Sequence, residues 1–160
     1  MKYDITFDDV LLVPKYSEVR SRKMKQFGGV IDLTSYLTPR YQMISPIISA
    51  NMDTVTEIEM MAAMYLYYGG CGIIPRFLPI EEQANQIQNL PIRIKERLEI
   101  EKIKGNDWLN NKTHIIKAAA IGTSGDFKER IYALISAGVE VLCIDIAHGH
   151  SIMMKETIEW

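Results

Sequence analysis

Polar residues that could bind a nucleotide follow the last of four short apolar runs in the chain, beginning at Asp145. An aspartate at the end of a strand can accept hydrogen bonds from ribose hydroxyls. His148 and His150, just beyond it, could hold a metal ion but lack an obvious third ligand. No serine or cysteine nucleophile with suitable partners lies nearby. This segment therefore favours ribose binding, with a metal site and a catalytic aspartate–histidine pair as alternatives.

The three earlier apolar runs also end in motifs that could contact a ligand. Small and amide side chains in 49–54 could approach a ligand closely, although a helix N-terminal turn capped by Asp53 or Thr56 explains the same residues. Arg76 could bind a phosphate or a carbonyl oxygen through its planar donors, or could form a surface salt bridge. Gly122 would let the backbone come near a ligand, or it makes a tight turn. Each motif alone leaves both interpretations open.

These motifs follow predicted strands of a parallel sheet. From Pro46 to Trp160, short apolar runs alternate with stretches of helical period, which is typical of repeated βα units. Ligands bind at the carboxyl ends of the strands in such folds. The predicted strands are residues 47–51, 72–75, 115–121 and 140–145.

Helices are predicted after each of these strands. Thr56 and Glu59 have the spacing of a capping box for the first helix. Residues 91–112 are predicted to form a solvated helix plus a loop, and Gly138 ends the third helix. The predicted starts of the four helices are Thr56, Pro79, Ser124 and Ser151.

The composition is that of an ordinary globular chain. Of 160 residues, 48% are hydrophobic and 24% are charged, and the net charge of -2 gives no electrostatic reason to expect nucleic-acid or membrane binding. The apolar run at 60–74 is too short to span a bilayer, and the N-terminus does not resemble a signal peptide. We therefore expect a cytoplasmic protein. Cys71 and Cys143 lie inside apolar runs and are expected to be buried and inert.

Four βα units could form half of an eight-stranded barrel or an open, doubly wound sheet. Length favours the open sheet because a complete barrel takes about 250 residues. However, no G-x-G-x-x-G motif follows any predicted strand. Residues 1–45 do not follow the βα rhythm and are predicted to form an extended arm or a small β-hairpin.

Four motifs together resemble the leading motifs of IMP dehydrogenases and GMP reductases, which are purine-nucleotide oxidoreductases. The motifs are ITFDDVLLVPKYSEV, ISANMDTVTEIEM, GGCGIIPRF and IDIAHGHS, in that order from Ile5 to Ser151. The resemblance implies the first four βα units of a TIM (β/α)8 barrel over residues 46–160, preceded by an N-terminal arm over 1–45. It also implies that the regulatory CBS domains of most dehydrogenases are absent.

Within this family, dehydrogenases oxidise IMP to XMP with NAD, and reductases convert GMP to IMP and ammonia with NADPH. Asn51 before Met52, the Ser21-Arg22 pair and the lack of CBS domains resemble the reductases. FDDVLLVP and TVTE resemble the dehydrogenases instead. The resemblance therefore favours a GMP reductase that uses NADP, with an NAD-dependent IMP dehydrogenase as the alternative.

The resemblance also implies roles for particular residues. Those implied to line the purine nucleotide site are Ser49, Asn51 and Met52. Those implied to contact the cofactor are Ser21, Arg22, Arg76, Asp145, Ile146 and Ala147, with Ser21 and Arg22 reaching a cofactor on a neighbouring subunit. Arg76 is also implied to assist the chemistry, although Pro75 replaces a histidine that is usual just before it. No residue is expected to bind a metal.

The resemblance further indicates what these 160 residues lack. The family's catalytic cysteine, its phosphate loops and the loop expected to hold a monovalent cation do not occur in them. We therefore expect a truncated or split gene product, inactive alone, with GMP or IMP as its purine mononucleotide. A homo-oligomer, or a complex with a chain supplying the second half-barrel, is expected. A non-catalytic subunit of a family enzyme is the alternative from another class.

Overall fold

The computed structural model describes residues 5–6, 8–18, 32–101 and 114–160, and the chain forms two units, Met1–Asp32 and Leu33–Trp160. In the first unit, the Asp9 amide donates to the Thr6 carbonyl at 3.0 Å. The Thr6 amide and hydroxyl donate in return to Asp9 Oδ2, and these bonds lower the pKa of the Asp9 carboxyl. The 21–22 pair lies outside the described residues.

The second unit is an α/β arrangement around a parallel sheet. Its elements in chain order are β1 (Ser35–Tyr36), β2 (Gln42–Met43), β3 (Ile48–Ser49), α1 (Ile58–Ala63), a π-helical turn (Met64–Tyr68), β4 (Cys71–Ile74), α2 (Ile80–Glu101), β5 (Ala118–Ile121), α3 (Phe127–Ser136), β6 (Val141–Ile144) and α4 (Ile152–Glu159). Strands β1 and β2 form an antiparallel hairpin. Strands β3 to β6 form one sheet in chain order, so the predicted α/β class and the place of all four predicted strands are confirmed.

The order of the strands decides where the helices lie. Crossovers between parallel strands are right-handed, and β3 to β6 follow one another across the sheet, so α1, α2 and α3 lie on the same face. Their apolar side chains share one core with Ile74, Ala119 and Ile121 of the sheet. A doubly wound sheet would reverse its strand order and carry helices on both faces, which the described strands do not do.

The main core is formed where these helices meet the sheet. Ile74, Ile87, Leu90 and Leu134 are completely or almost completely buried in it. Burying a side chain of this size contributes about 1.5–3 kcal/mol relative to exposing it. The core therefore fixes α2 and α3 on the strands whose ends carry the candidate site.

The hairpin covers the amino-terminal end of the sheet. Met43 of β2 shares a second buried cluster with Cys71, Ile116 and Ala118, which lie at or before the starts of β4 and β5. Tyr41, beside them, stacks on His114 with ring centroids 5.4 Å apart. The carboxyl end of the sheet, where parallel sheets bind ligands, is at the opposite end of these strands.

Two of the predicted helix starts are wrong. Helix α1 begins at Ile58 without a side-chain cap, because the buried Thr56 hydroxyl lies 2.5 Å from the Ala50 carbonyl oxygen instead. Helix α3 begins at Phe127, beyond Ser124, because Gly125 has a φ of 67° that turns the chain between them. The start of α4 is confirmed, since Ser151 Oγ accepts from the Met154 amide at 3.3 Å.

Helix α2 continues through Pro91 as far as Glu101. The start near Pro79 is confirmed, because its carbonyl accepts from the Gln83 amide at 3.0 Å. Ile87 and Ile94, on either side of the proline, are both buried, so packing holds the helix together across it. No helix in the described ranges is long and apolar enough to cross a membrane.

The turn from α1 into β4 is unusually tight. Gly69 has a φ of 62°, and its amide donates to the Met64 and Tyr65 carbonyls at the end of the π-helical turn. A side chain on Gly70 would place its Cβ 2.4 Å from the Ile47 carbonyl oxygen, so only glycine fits there. The two glycines let β4 start directly beside the chain that enters β3.

Candidate functional site

Two of the predicted cofactor residues meet at the carboxyl end of the sheet. Arg76 follows β4 and Asp145 follows β6, and Arg76 Nε donates to Asp145 Oδ2 at 3.2 Å. Because β5 lies between these strands, the arginine side chain crosses the end of β5. It passes Gly122, where an added Cβ would lie 3.8 Å from Arg76 Nη1. The sheet thus brings together three motifs that are far apart in the chain.

Backbone pairing holds Asp145 in place. Its amide donates to the Ile121 carbonyl at 2.9 Å, which continues the β5–β6 pairing beyond the end of β6. Ile146 is half-buried and Ala147 is exposed just after it. The Asp145 carboxyl group therefore stands at a fixed position on the rim of the sheet.

The Arg76–Asp145 ion pair is open to solvent. The side chains keep 37% and 33% of their surface exposed, and ion pairs of this kind contribute about 0–1 kcal/mol. The Arg76 guanidinium carbon also lies 4.5 Å from the centre of the Phe77 ring. The bond uses one of five guanidinium N–H groups and one of two carboxylate oxygens. A polar ligand with hydroxyl and anionic groups could therefore bind both side chains at little cost.

The predicted purine-site residues lie on the other side of β4. Strand β3 pairs with β4 at one edge of the described sheet, whereas Asp145 follows the opposite edge strand, β6. Ser49 Oγ lies 3.0 Å from the Thr56 hydroxyl and so braces the loop after β3. Asn51 is half-buried and Met52 is 59% exposed. The structure thus places Ser49, Asn51 and Met52 at the same end of the sheet as Arg76 but apart from Asp145.

A buried glutamine that no sequence motif indicated supports the backbone on which the site is built. Gln83 of α2 is completely buried, and its side-chain amide donates to the Pro75 and Ala120 carbonyls at 3.0 and 2.9 Å. These carbonyls precede Arg76 and Ile121. Gln83 lies on the same buried side of α2 as Ile87 and Leu90. A glutamine at a core-facing position of a helix was therefore the signal by which the sequence could have indicated it.

Neither cysteine is suited to nucleophilic chemistry. Burial, with a smaller effect of the Glu140 carboxylate, raises the pKa of the Cys71 thiol to about 12. Burial and the Asp145 carboxylate also raise the pKa of Cys143. A thiol with a raised pKa carries little of the reactive thiolate at neutral pH. Among the described residues, no three histidine, cysteine, aspartate or glutamate side chains cluster as a metal site requires.

Comparison with known proteins identifies the family. A model of the IMP dehydrogenase / GMP reductase domain matches residues 4–160. The inosine-5'-monophosphate dehydrogenase of Cryptosporidium parvum is 34% identical over 178 residues, which cover 97% of this chain and 42% of that protein. That of Nitrosopumilus maritimus is 29% identical over 254 residues, covering 94% of this chain and 52% of the relative.

A shorter and more similar match comes from Bacillus subtilis. Its inosine-5'-monophosphate dehydrogenase is 46% identical over 89 residues, covering 56% of this chain and 17% of that protein. The chain spans about half the length of the Cryptosporidium and Nitrosopumilus relatives. The preference for GMP reductase and NADP finds no support in these dehydrogenase names, which fit the alternative better. The chain belongs to the IMP dehydrogenase/GMP reductase family.

Proposed function

We propose that this chain contributes the cofactor-binding part of an NAD-dependent IMP dehydrogenase. The observation that carries the proposal is the Arg76–Asp145 pair, 3.2 Å long, across the carboxyl end of β5. The names of the relatives support the dehydrogenase reaction, in which IMP is the substrate. NAD, when bound, accepts a hydride from the purine.

The residues at the rim suit a nicotinamide dinucleotide. Asp145 would accept hydrogen bonds from the hydroxyls of the nicotinamide ribose, and Ile146 and Ala147 would lie along the same sugar. Arg76 would donate to a phosphate or a carbonyl oxygen of the cofactor. Because the pair is weak and half-exposed, the cofactor can replace the Arg76–Asp145 bond by bonds of its own.

The purine nucleotide would bind nearer to β3. Asn51 offers an amide and Met52 an exposed apolar side chain for an IMP ring, while the Ser49 hydroxyl shapes the loop that presents them. Asp145 and this loop follow opposite edge strands of the described sheet, which leaves room for cofactor and purine to meet between them. The Ser21-Arg22 pair is proposed to contact a cofactor on a neighbouring subunit.

We further propose that the sheet is the first half of a (β/α)8 barrel that follows an N-terminal arm. Strands in chain order and helices on one face support this architecture.

The protonated, buried state of Cys71 and the raised pKa of Cys143 support a further expectation. Residues 1–160 alone should bind NAD without oxidising IMP.

The test is calorimetric titration of the folded chain with NAD and NADP. We expect NAD to bind, and Asp145→Asn and Arg76→Met each to weaken it by about tenfold, since a hydrogen bond to a charged group contributes about 1.5–3 kcal/mol. Glu159→Gln breaks the exposed Lys155–Glu159 pair on α4 and should leave the affinity unchanged. Tighter binding of NADP would favour the reductase, and no binding of either would contradict the proposal.

A further inference from the structure

A single buried side chain joins the ends of β4 and β5, beside the candidate site. Gln83 has no exposed surface. Its Nε2 donates to the Pro75 carbonyl at 3.0 Å and to the Ala120 carbonyl at 2.9 Å, and its Oε1 accepts from Arg130 Nη1 at 2.9 Å. An amide has two N–H donors and one carbonyl acceptor, so these three bonds use both donors and give the oxygen a partner.

Arg130 of α3 fixes the orientation of this amide. It is 5% exposed, and its Nη1 also donates to the Leu78 carbonyl at 2.9 Å, while Nη2 donates to Asp126 Oδ2 at 2.6 Å. The Gln83 oxygen must face the guanidinium, because the reversed amide would set its oxygen against two carbonyls and its N–H groups against a cation. Helices α2 and α3 are thereby tied to the same strand ends.

The acceptors of Gln83 stand immediately before the site. The Pro75 carbonyl belongs to the peptide unit that contains the Arg76 nitrogen, and Pro75 itself is buried. Ala120 precedes Ile121, whose carbonyl accepts from the Asp145 amide, and then Gly122, beside which Arg76 passes. One amide thus sets the relative position of the backbone that carries Arg76 and the backbone that aligns Asp145.

We propose that Gln83 is a positioning residue for cofactor binding, which acts through Arg76 and Asp145 without touching the cofactor. This inference rests on the proposed function. Its two N–H donors hold β4 and β5 at the separation that lets Arg76 reach across β5. Its oxygen, held by Arg130, keeps those donors aimed at the strand ends.

Two substitutions distinguish a positioning role of Gln83 from an effect on the stability of the whole chain. Gln83→Glu keeps the size of the side chain and an oxygen for Arg130, but it removes both donors and sets an oxygen against the Pro75 and Ala120 carbonyls. Gln83→Met removes every hydrogen bond of this side chain at similar size. The matched control is Gln86→Met, because Gln86 is a second buried glutamine of α2 whose oxygen accepts from the Ile58 amide at 2.9 Å, away from the strand ends.

The experiment measures NAD affinity by calorimetry and the thermal midpoint of the full chain, for wild type and the three variants. We expect both Gln83 variants to weaken NAD binding by about tenfold or more, a change that corresponds to about 1.4 kcal/mol. Gln86→Met should lower the thermal midpoint and leave NAD affinity within about twofold of wild type, a change of less than about 0.5 kcal/mol. If Gln83→Met does not fold, Gln83→Glu decides the question.

The outcomes distinguish this inference from the proposed function. If wild type binds NAD and the Gln83 variants bind it as tightly, the positioning role is overturned while the proposed function stands. If Gln86→Met weakens binding as much as the Gln83 variants do, the effect is one of general stability and the inference is also overturned. If folded wild type does not bind NAD, both proposals are overturned.

Discussion

At the scale of single residues, Thr54 has a backbone conformation that its type disfavours. Its φ of 59° lies in the left-handed region, which β-branched residues rarely adopt and which costs about 1–3 kcal/mol. The neighbouring Thr56 is buried, and its amide and that of Val55 both donate to the Met52 carbonyl. These bonds close the loop after β3 and impose the strained conformation on Thr54.

Replacing Thr54 with glycine should therefore stabilise the chain. We expect Thr54→Gly to raise the free energy of unfolding by about 1 kcal/mol, because glycine adopts positive φ without a steric penalty. Urea denaturation measures the change. Val55→Gly, at a neighbouring exposed residue that lacks a positive φ, is the control and should lower stability. A loss of stability in Thr54→Gly would contradict this account of strain.

Cys71 should make stability depend on alkaline pH. Its thiol has a pKa of about 12 in the folded chain and about 8.5 when unfolded, so between these values the folded state holds a proton that the unfolded state has lost. The contribution of this thiol to the free energy of unfolding is complete below about pH 8.5. Above that pH it declines by up to about 1.4 kcal/mol per pH unit.

Urea unfolding at several alkaline pH values tests this expectation. The advantage of wild type over Cys71→Ala should shrink as the pH rises from about 8.5 to 11. Cys143→Ala is the control, because that thiol is only half-buried and should give a smaller change. If the free energy of unfolding depends on pH in the same way for wild type and Cys71→Ala, the thiol is not protected from ionisation.

Some of these residues could be found from the sequence and others could not. Arg76 and Asp145 follow directly after apolar runs. Because the carboxyl ends of parallel strands meet at one end of a sheet, the sequence could predict that both residues lie there. The role of Thr56 was not, because its spacing from Glu59 suits a capping box while its hydroxyl lies against Ala50 in the folded chain. Gln83 was missed because its partners come from two strands and a distant helix.

At the scale of elements, Ser124 and Ser151 show what decides a helix start. Both precede apolar stripes of helical period. Ser151 lies directly before α4 and its Oγ accepts from the Met154 amide. Gly125, with its φ of 67°, moves the start of α3 beyond Ser124 to Phe127. The backbone turn between serine and helix therefore determines which serine acts as a cap.

Alanine substitutions of the two serines should differ accordingly. Ser151→Ala should lower the free energy of unfolding by about 1 kcal/mol, the usual effect of losing an N-cap. Ser124→Ala should leave it within about 0.5 kcal/mol of wild type, as exposed substitutions usually do. Thermal unfolding followed by circular dichroism compares the two. Equal losses would mean that Ser124 stabilises α3 in a way other than capping.

Pro91 shows why the extent of α2 could not be read from local propensity. Proline inside a helix costs about 3 kcal/mol, which by itself would end the helix near residue 91. Burial of Ile87, Leu90 and Ile94 around it contributes about 1.5–3 kcal/mol for each side chain. Tertiary packing therefore outweighs the local penalty, and that packing depends on the sheet.

At the scale of the whole molecule, the sheet has two edges. Within the described residues, β3 pairs only with β4 and β6 only with β5. Ile48 and Leu142 on these edge strands are 41% and 36% exposed. Edge strands with exposed apolar side chains pair readily with other chains, and a closed barrel would cover both edges. The chain order of the strands was predictable from the βα rhythm, but barrel closure depends on partners of these edges.

Residues 1–160 expressed alone should therefore self-associate. We expect sedimentation velocity to show oligomers that shift towards monomer in Leu142→Lys, because a charge on an edge strand opposes pairing. Ile158→Lys places the same charge on an exposed residue of α4 and serves as the control. A monomeric wild type, or an equal effect of both substitutions, would argue against association through β6.

The π-helical turn at Met64–Tyr68 affects how the chain tolerates changes in length. The Gly69 amide bonds to the Met64 carbonyl, so this turn encloses one residue more than an α-helical turn does. Deleting one residue inside it would leave an ordinary α-helical turn, with Gly69 and Gly70 still in place before β4. The same deletion within α1 would rotate Met61 by about 100° away from the core. The π-helical turn can thus absorb a single-residue deletion between α1 and β4 without shifting the register of the sheet.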